Sequence, residues 1–355
     1  MKSLLCLIKS SLVFVLVESV QLYALFFKNK ACSLIHYYTV IRMPMKSFNN
    51  INKTIMKKIL STVMLLVAAV GMQAQLLWKV TGNGLEKPSY IVGTYHLAPG
   101  TFADSIKGAK EAMNAAEQVY GEIVTADLAN PEKLMTMQAA MMLPEGQTLD
   151  KLLDTDETGR LNAVLKELIG MDLTNPMVAQ QLNKLSPQAL LTQLTMLSYL
   201  KKTPNMDPTN TIDNYFQKEA MAKGKPTGGL ETMEHQIDVL FKGYTLDRQK
   251  ELLMCFVDNR EMNEKVTDMV TKGYFSQDMK LLKEATDMKY NNSCDATQEE
   301  EDRLIYGRNA EWVKIMPGIM KDKSTLFAVG AAHLVGEKGV IELLKKAGYT
   351  VEGIK

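Results

Sequence analysis

Histidine and cysteine are scarce in this chain. Its 355 residues include four of each and only two tryptophans. An excess of one charge is also missing: 41 Lys and Arg balance 40 Asp and Glu, a net +1. Without a field of one sign, nucleic acid is not an expected partner. No Walker loop, GxGxxG fingerprint, CxxC pair or HExxH motif occurs, which removes the usual sequence marks of nucleotide, dithiol and zinc-helix chemistry. No period of 20 to 50 residues marks a solenoid. What remains is 46% hydrophobic and 23% charged, a composition suited to a globular domain with a sizeable core.

The first 75 residues differ from the rest. Met56-Lys57-Lys58 precedes an apolar run from Ile59 to Val70, and Gly71 to Gln75 (GMQAQ) follows. A basic start, a short apolar stretch and a small-residue end describe a secretory signal peptide over 56–74, cut after Ala74. The run is short for a membrane span of roughly 20 residues. No Cys follows the cut, so no lipid anchor is expected. Residues 1–55 are apolar and basic, with Glu18 their sole acid. They are read as an upstream extension, with translation beginning at Met56. The rival reading is an anchor around Leu4 to Phe27, but Lys9 and Glu18 interrupt it, and charge within a span is costly. The expected product is periplasmic or secreted, touching a membrane only through the signal peptide before cleavage. Of the cysteines, Cys255 and Cys294 remain after the cut. They are either a disulfide or two buried thiols.

From Leu76 the pattern is strand-like. LLWKVTG and SYIVGTYH flank NGLEKP, and the second strand spans Tyr90 to Thr94. Ile106, Ala109, Met113 and Ala116 recur at helical spacing over residues 104–118. VYGEIV (119–124) reads as a strand with Glu122 inside it. Asn130-Pro131 and Ser186-Pro187 are helix starts. Thr211 to Lys223 is a helix ended by Gly224, and Lys225 to Glu231 a short strand opening into a loop. Helices follow over 245–288 and 299–320, then a buried strand Thr325 to Val329, a helix Gly336 to Ala347 and a last strand Thr350 to Ile354. The expected fold is α/β, a single domain over 75–355. Its mixed central sheet comes from the N- and C-terminal parts, with a large helical insertion at about 130–224.

Two of the four histidines share one frame. VGTYHL places His96 just after a strand, and VGAAHL places His333 just after another. In open α/β sheets chemistry sits beyond strand ends, so the two Gly-x-x-His exits can meet on one rim. Imidazole serves as metal ligand or acid–base group, and Gly93 and Gly330 permit close backbone approach. The plain alternative is two unrelated histidines in strand-to-helix turns. Glu122 is a carboxylate in a strand of small and apolar residues, where glutamate is depleted. If that strand is central, the charge needs a cation, a metal or a proton; at an edge it needs only water. Glu231 follows a Gly-rich strand exit and enters the same crevice or simply starts a helix. His235, four residues on, reads as a solvated helix residue. Arg308 can orient a carboxylate through a bidentate fork, and Trp312 reads as core. The 24 methionines read as packing rather than a cofactor box.

Taken together, YIVGTYH, VYGEIV, KPTGGLETMEHQ, GRNAEWVKIM and FAVGAAHLVGEKGVIELLKKAGYTVE resemble the TraB/GumN family, which includes PrgY and is related to the animal Tiki proteases. Their order covers nearly all of 76–355. The family carries two GxxH motifs and a glutamate, matched here by His96, His333 and Glu122. The resemblance implies a divalent-metal-dependent peptidase, with manganese or cobalt suspected and zinc not excluded. It also implies a fold related to the erythromycin-esterase and ChaN-like proteins. Its bacterial members are linked to limiting peptide pheromones. On this reading His96, His333 and Glu122 hold the metal and carry catalysis, while Glu231, Arg308, Gly93 and Gly330 support them or touch a peptide substrate. The alternative is a non-catalytic peptide- or haem-binding protein. Tyr95 departs from the smaller aliphatic residue usual before the first motif histidine.

Overall fold

The computed structural model describes residues 75–355. The expected signal peptide and upstream extension lie outside the described residues. Six strands form one sheet in the order β4-β3-β5-β2-β1-β6. They are β1 (Leu77–Thr81), β2 (Ser89–Thr94), β3 (Gln118–Gly121), β4 (Thr227–Gly229), β5 (Thr325–Gly330) and β6 (Thr350–Gly353). β2, β5, β3 and β4 run parallel to one another. β1 is antiparallel to both β2 and β6. Strands therefore come from both ends of the described chain, and the sheet is mixed.

β5 shows why the sheet needs two covers. Its side chains alternate between faces, as every strand's do. Leu326 and Ala328 join one core with Val92, Val119 and the helices Ala109–Ala115 and Ile212–Ala222. Phe327 and Val329 join the opposite core with Trp312, Met316, Ile341 and Leu344, from the helices Gly307–Asp322 and Val340–Lys346. A parallel strand buried on both faces reads as a continuous apolar run, which is what TLFAVG supplies. Phe327 is fully buried.

Helices fill 131–222 between β3 and β4, and 233–322 between β4 and β5. Leu161, Leu165, Leu190, Leu194 and Leu253 give this part a core of its own. Asn130 and Ser186 cap the helices Pro131–Ala140 and Pro187–Lys202 through their side chains, each followed by the proline that needs no N–H partner. No described helix is long and apolar enough to cross a membrane.

Several expected helices are interrupted. Residues 104–118 hold a 3₁₀ turn, Gly100–Ser105, and a helix that begins only at Ala109. Gly108 between them has φ +81°, and a Cβ there would press on Ile354 at 3.0 Å. Tertiary packing thus sets the break. The stretch 245–288 is three helices, Leu246–Asp258, Arg260–Phe275 and Met279–Thr286, parted at non-helical Asn259 and at Gln277 with φ 57°. The expected helix 299–320 contains a π-helical turn, Asp302–Tyr306. The helix after His333 starts at Val340, four residues later than expected, because Gly336 takes φ +82°.

Cys255 and Cys294 are bonded, with Cα atoms 5.6 Å apart, and tie the helix Leu246–Asp258 to the loop after Thr286. The link closes 39 residues of sequence, for which chain entropy gives roughly 2–4 kcal/mol. Cys255→Ser, or reduction of the native protein, is expected to lower unfolding stability by about that amount. Urea unfolding with and without reductant measures it, and coincident curves contradict it.

Candidate active site at the strand ends

The four parallel strands each deliver one polar side chain to the same rim. β4 leads to Glu231, β3 to Glu122, β5 to His333 and β2 to His96, in the spatial order of the sheet. The ladders fix this alignment: Thr94 lies opposite Gly330, and Gly121 lies opposite both Ala328 and Gly229. Glu122 is not inside β3 as expected. The strand ends at Gly121 and the carboxylate stands one residue beyond it.

Arg308 binds three of the four. Its Nε donates to Glu231 Oε2 at 3.0 Å and its Nη2 to Glu231 Oε1 at 2.5 Å, the bidentate fork. Nη2 also donates to Glu122 Oε2 at 2.7 Å. Nη1 approaches His333 Nε2 at 3.2 Å and donates to Leu304 O at 3.0 Å. The guanidinium lies 4.9 Å from the Trp312 ring centroid. Glu122 receives two further bonds, from Gly330 N–H at 2.8 Å and Gln236 Nε2 at 3.2 Å. Gln236 also bonds Glu231 at 3.0 Å. A Cβ on Gly330 would stand 3.2 Å from Glu122 Oε1, close enough that the carboxylate would have to shift. A Cβ on Gly93 would meet Ala331 Cβ at 3.2 Å, so each motif glycine lets the β5 exit close on its neighbours.

Charge states follow from these contacts. Burial disfavours ionised Glu122, but the charges of His333, Arg308 and His96 and the Gly330 N–H outweigh burial and bring its pKa to about 2, a pH at which His333 is itself charged. Burial lowers His333 to about 4, with Arg308 adding to the effect, so it is neutral near pH 7. Arg308 is then the lasting cation beside Glu122. His333 sits 3.8 Å from Glu122 Oε1, and its ring packs on Trp312 with centroids 4.4 Å apart. His96 is the opposite case. Asp213 raises it to about 9, with burial working against the rise. The imidazole itself is 74% exposed, so water screens this pair and weakens the pull.

Sequence reasoning missed three partners. Asp213, Gln236 and Asn309 each touch a site residue. Asp213 sits at a helix N-terminus, where an acid is unremarkable. Gln236 and Asn309 lie within the motif stretches but carry no charge to draw notice. Tyr95 points into an aromatic cluster. It packs against Tyr199 and Tyr274, and its hydroxyl is 3.2 Å from Thr271 Oγ1. His235 is largely exposed and stands 3.9 Å from Glu231 Oε2.

A model of the TraB/PrgY/gumN family matches residues 76–353. The chain belongs to this family. Its relatives include Metalloprotease TIKI2 of Xenopus tropicalis, 25% identical over 322 residues that cover 78% of this chain and 59% of the relative. Metalloprotease TIKI2 of Danio rerio is 24% identical, covering 78% and 60%. Metalloprotease TIKI1 of Homo sapiens is 25% identical, covering 75% and 60%. The chain spans roughly three-fifths of the length of these relatives. No solved structure matches it.

The relatives are named metalloproteases, a name that implies a bound metal in those proteins. Two imidazoles and an ionised carboxylate are suitable donors in kind. Their arrangement is not closed around an ion: among the described residues no three His, Cys, Asp or Glu side chains gather as a metal requires. Arg308 instead bonds Glu122 and approaches His333 Nε2. The open donors lie at the His96 end, where Asp213 Oδ2 is buried without a well-formed hydrogen bond.

The site fixes the acid response of the metal-free protein. Glu122 has a depressed folded pKa, so its contribution is complete above about 4.5 and is lost as pH falls towards 2. His333 is kept neutral by the fold, so the unfolded chain takes up that proton first, and stability falls between 6.5 and 4. The urea midpoint should therefore drop steadily from pH 6.5 downward; a flat midpoint between 6.5 and 4 contradicts this. Arg308→Ala should cost about 3–5 kcal/mol at pH 7, the penalty for leaving buried carboxylates unpaired.

Proposed function

We propose that this chain is a divalent-metal-dependent peptide hydrolase working in the periplasm or outside the cell. The observation that carries the reading is the rim itself: adjacent parallel strands deliver Glu231, Glu122, His333 and His96 in spatial order. Membership of a family whose relatives are named metalloproteases supports it. The disulfide suits an oxidising compartment and a cleaved signal peptide. The resemblance to the erythromycin-esterase and ChaN-like folds belongs to this proposal.

In this reading His96, His333 and Glu122 would hold the ion, with Arg308 giving up its contact to His333. The ion would polarise a peptide carbonyl and lower the pKa of a bound water. Arg308 keeps Glu122 ionised and Glu231 in place. Manganese and cobalt are the suspected metals, and imidazole with carboxylate also suits zinc. A peptide reaches the site from the His96 side, where the imidazole is open to water. The second reading, a peptide- or haem-binding protein without turnover, is favoured by one observation: the donors do not gather among the described residues.

The test is a peptide mixture incubated with the protein and manganese, cobalt or zinc, then analysed by mass spectrometry. Products that vanish with chelator are expected. His96→Ala and His333→Ala should each lower cleavage by more than about 100-fold, beyond the usual cost of losing an outer partner, and should lose bound metal while staying folded. A protein that retains no metal and returns every peptide intact ends the hydrolase reading in favour of binding.

A further inference from the structure

Each motif histidine has its Nδ1 beside a side-chain oxygen from a helix next to the rim, bonded at His333 and in looser contact at His96. His333 Nδ1 is 2.6 Å from Asn309 Oδ1. The amide has one orientation, because its Nδ2 donates to His333 O at 3.2 Å and to Lys338 O at 2.9 Å. Its oxygen therefore faces the ring, and Nδ1 carries the proton. The lone pair is on Nε2, which faces Arg308 Nη1, a group that can only donate.

At His96 the partner is a carboxylate. Asp213 Oδ2 lies 3.1 Å from His96 Nδ1. A carboxylate only accepts, so the contact favours a proton on Nδ1 whether the ring is neutral or charged. The other oxygen, Oδ1, accepts from Thr94 Oγ1 at 2.6 Å. Thr94 is the last residue of β2, two before His96. The backbone around this pair is tied as well. Ile212 N–H donates to Ala98 O at 3.0 Å, and Gly100 N–H to Asn210 O at 2.8 Å. Asp213 is thus clamped to the loop that carries His96.

A buried carboxylate oxygen without a good donor is costly. Asp213 Oδ2 is buried and makes no other hydrogen bond among the described residues. Catalytic contacts of this kind are often poorly aligned until a ligand arrives. We propose that Asp213 is a positioning residue of this site: it takes the Nδ1–H of His96 and turns Nε2 of that ring into the crevice, as Asn309 does for His333. A carboxylate partner also makes an imidazole a stronger donor than an amide partner does. What the oriented Nε2 atoms do rests on the hydrolase reading above; their orientation does not.

The experiment uses metal-free protein with ¹⁵N-labelled histidine. A slowly exchanging Nδ1–H signal is expected for His96, assigned by its loss in His96→Gln. It should vanish in Asp213→Ala and persist in Asp213→Asn, whose amide oxygen can still accept. The His333 signal should survive Asp213→Ala and vanish in Asn309→Ala. An unprotonated Nδ1 on His96 in the wild-type protein overturns the proposal without any variant, even if Asp213→Ala fails to fold. A second reading comes from calorimetric titration with manganese. Asp213→Ala should weaken binding by about 10–100-fold, the usual effect of removing an outer-shell partner, and equal affinity counts against the role. If wild-type protein binds no manganese, the hydrolase reading falls, while the ¹⁵N signals still decide the role of Asp213.

Discussion

One guanidinium organises this site. Arg308 is buried, and it holds Glu231 by a fork, Glu122 by a single bond and His333 by its remaining edge. Two carboxylates at a low-dielectric strand end would repel each other and take up a proton. With Arg308 between them Glu122 stays an anion, and the neighbouring imidazole is kept neutral. Removing the cation is therefore not the loss of one contact. It reverses the electrostatic logic of the whole rim.

The sheet is what makes that sharing possible. Glu122 and Glu231 come from neighbouring strands whose ends are level, with Gly121 opposite Gly229. Gly330 on the next strand gives its N–H to Glu122. A one-residue slip of any ladder would turn every side chain to the other face. The apolar residues below the rim forbid such a slip. Leu326 and Phe327 are wholly buried on opposite sides, and neither can face the other's core without loss. Packing far from the chemistry thus sets the distances within it.

The strands were legible because burial writes itself into composition. TLFAVG and SYIVGT could be little else, and β3 was misjudged only at its end. Glu122 stood out because a carboxylate beside such a strand demands a partner, and a single bond from Arg308 answered the demand. The helix breaks were not legible. Gly108, which faces Ile354, and Asn259, whose side chain bonds back to Cys255 O, interrupt apparently continuous helices, and no local period records either break. Nor was the inequality of the two histidines. GTYH and GAAH look like copies, yet one ring lies against Trp312 and Arg308 and the other against Asp213 in an open mouth. That difference is made by residues far away in sequence, at positions 213, 308 and 312.

Tyr95 shows how a departure from a family pattern can be read physically. A large ring in the first motif would block the mouth if it pointed inward. It points instead into a cluster with Tyr199 and Tyr274, and burial raises its hydroxyl to about 12. Tyr274 in turn donates to Gly93 O at 3.0 Å, the first residue of the same motif. The two tyrosines therefore bind the GTYH loop to the helices Pro187–Lys202 and Arg260–Phe275. Helices that carry none of the rim residues become the backing of His96. A change in the aromatic cluster would reach the imidazole through one intervening residue, so the helical part of the chain is a structural partner of the site and not merely a cover over it.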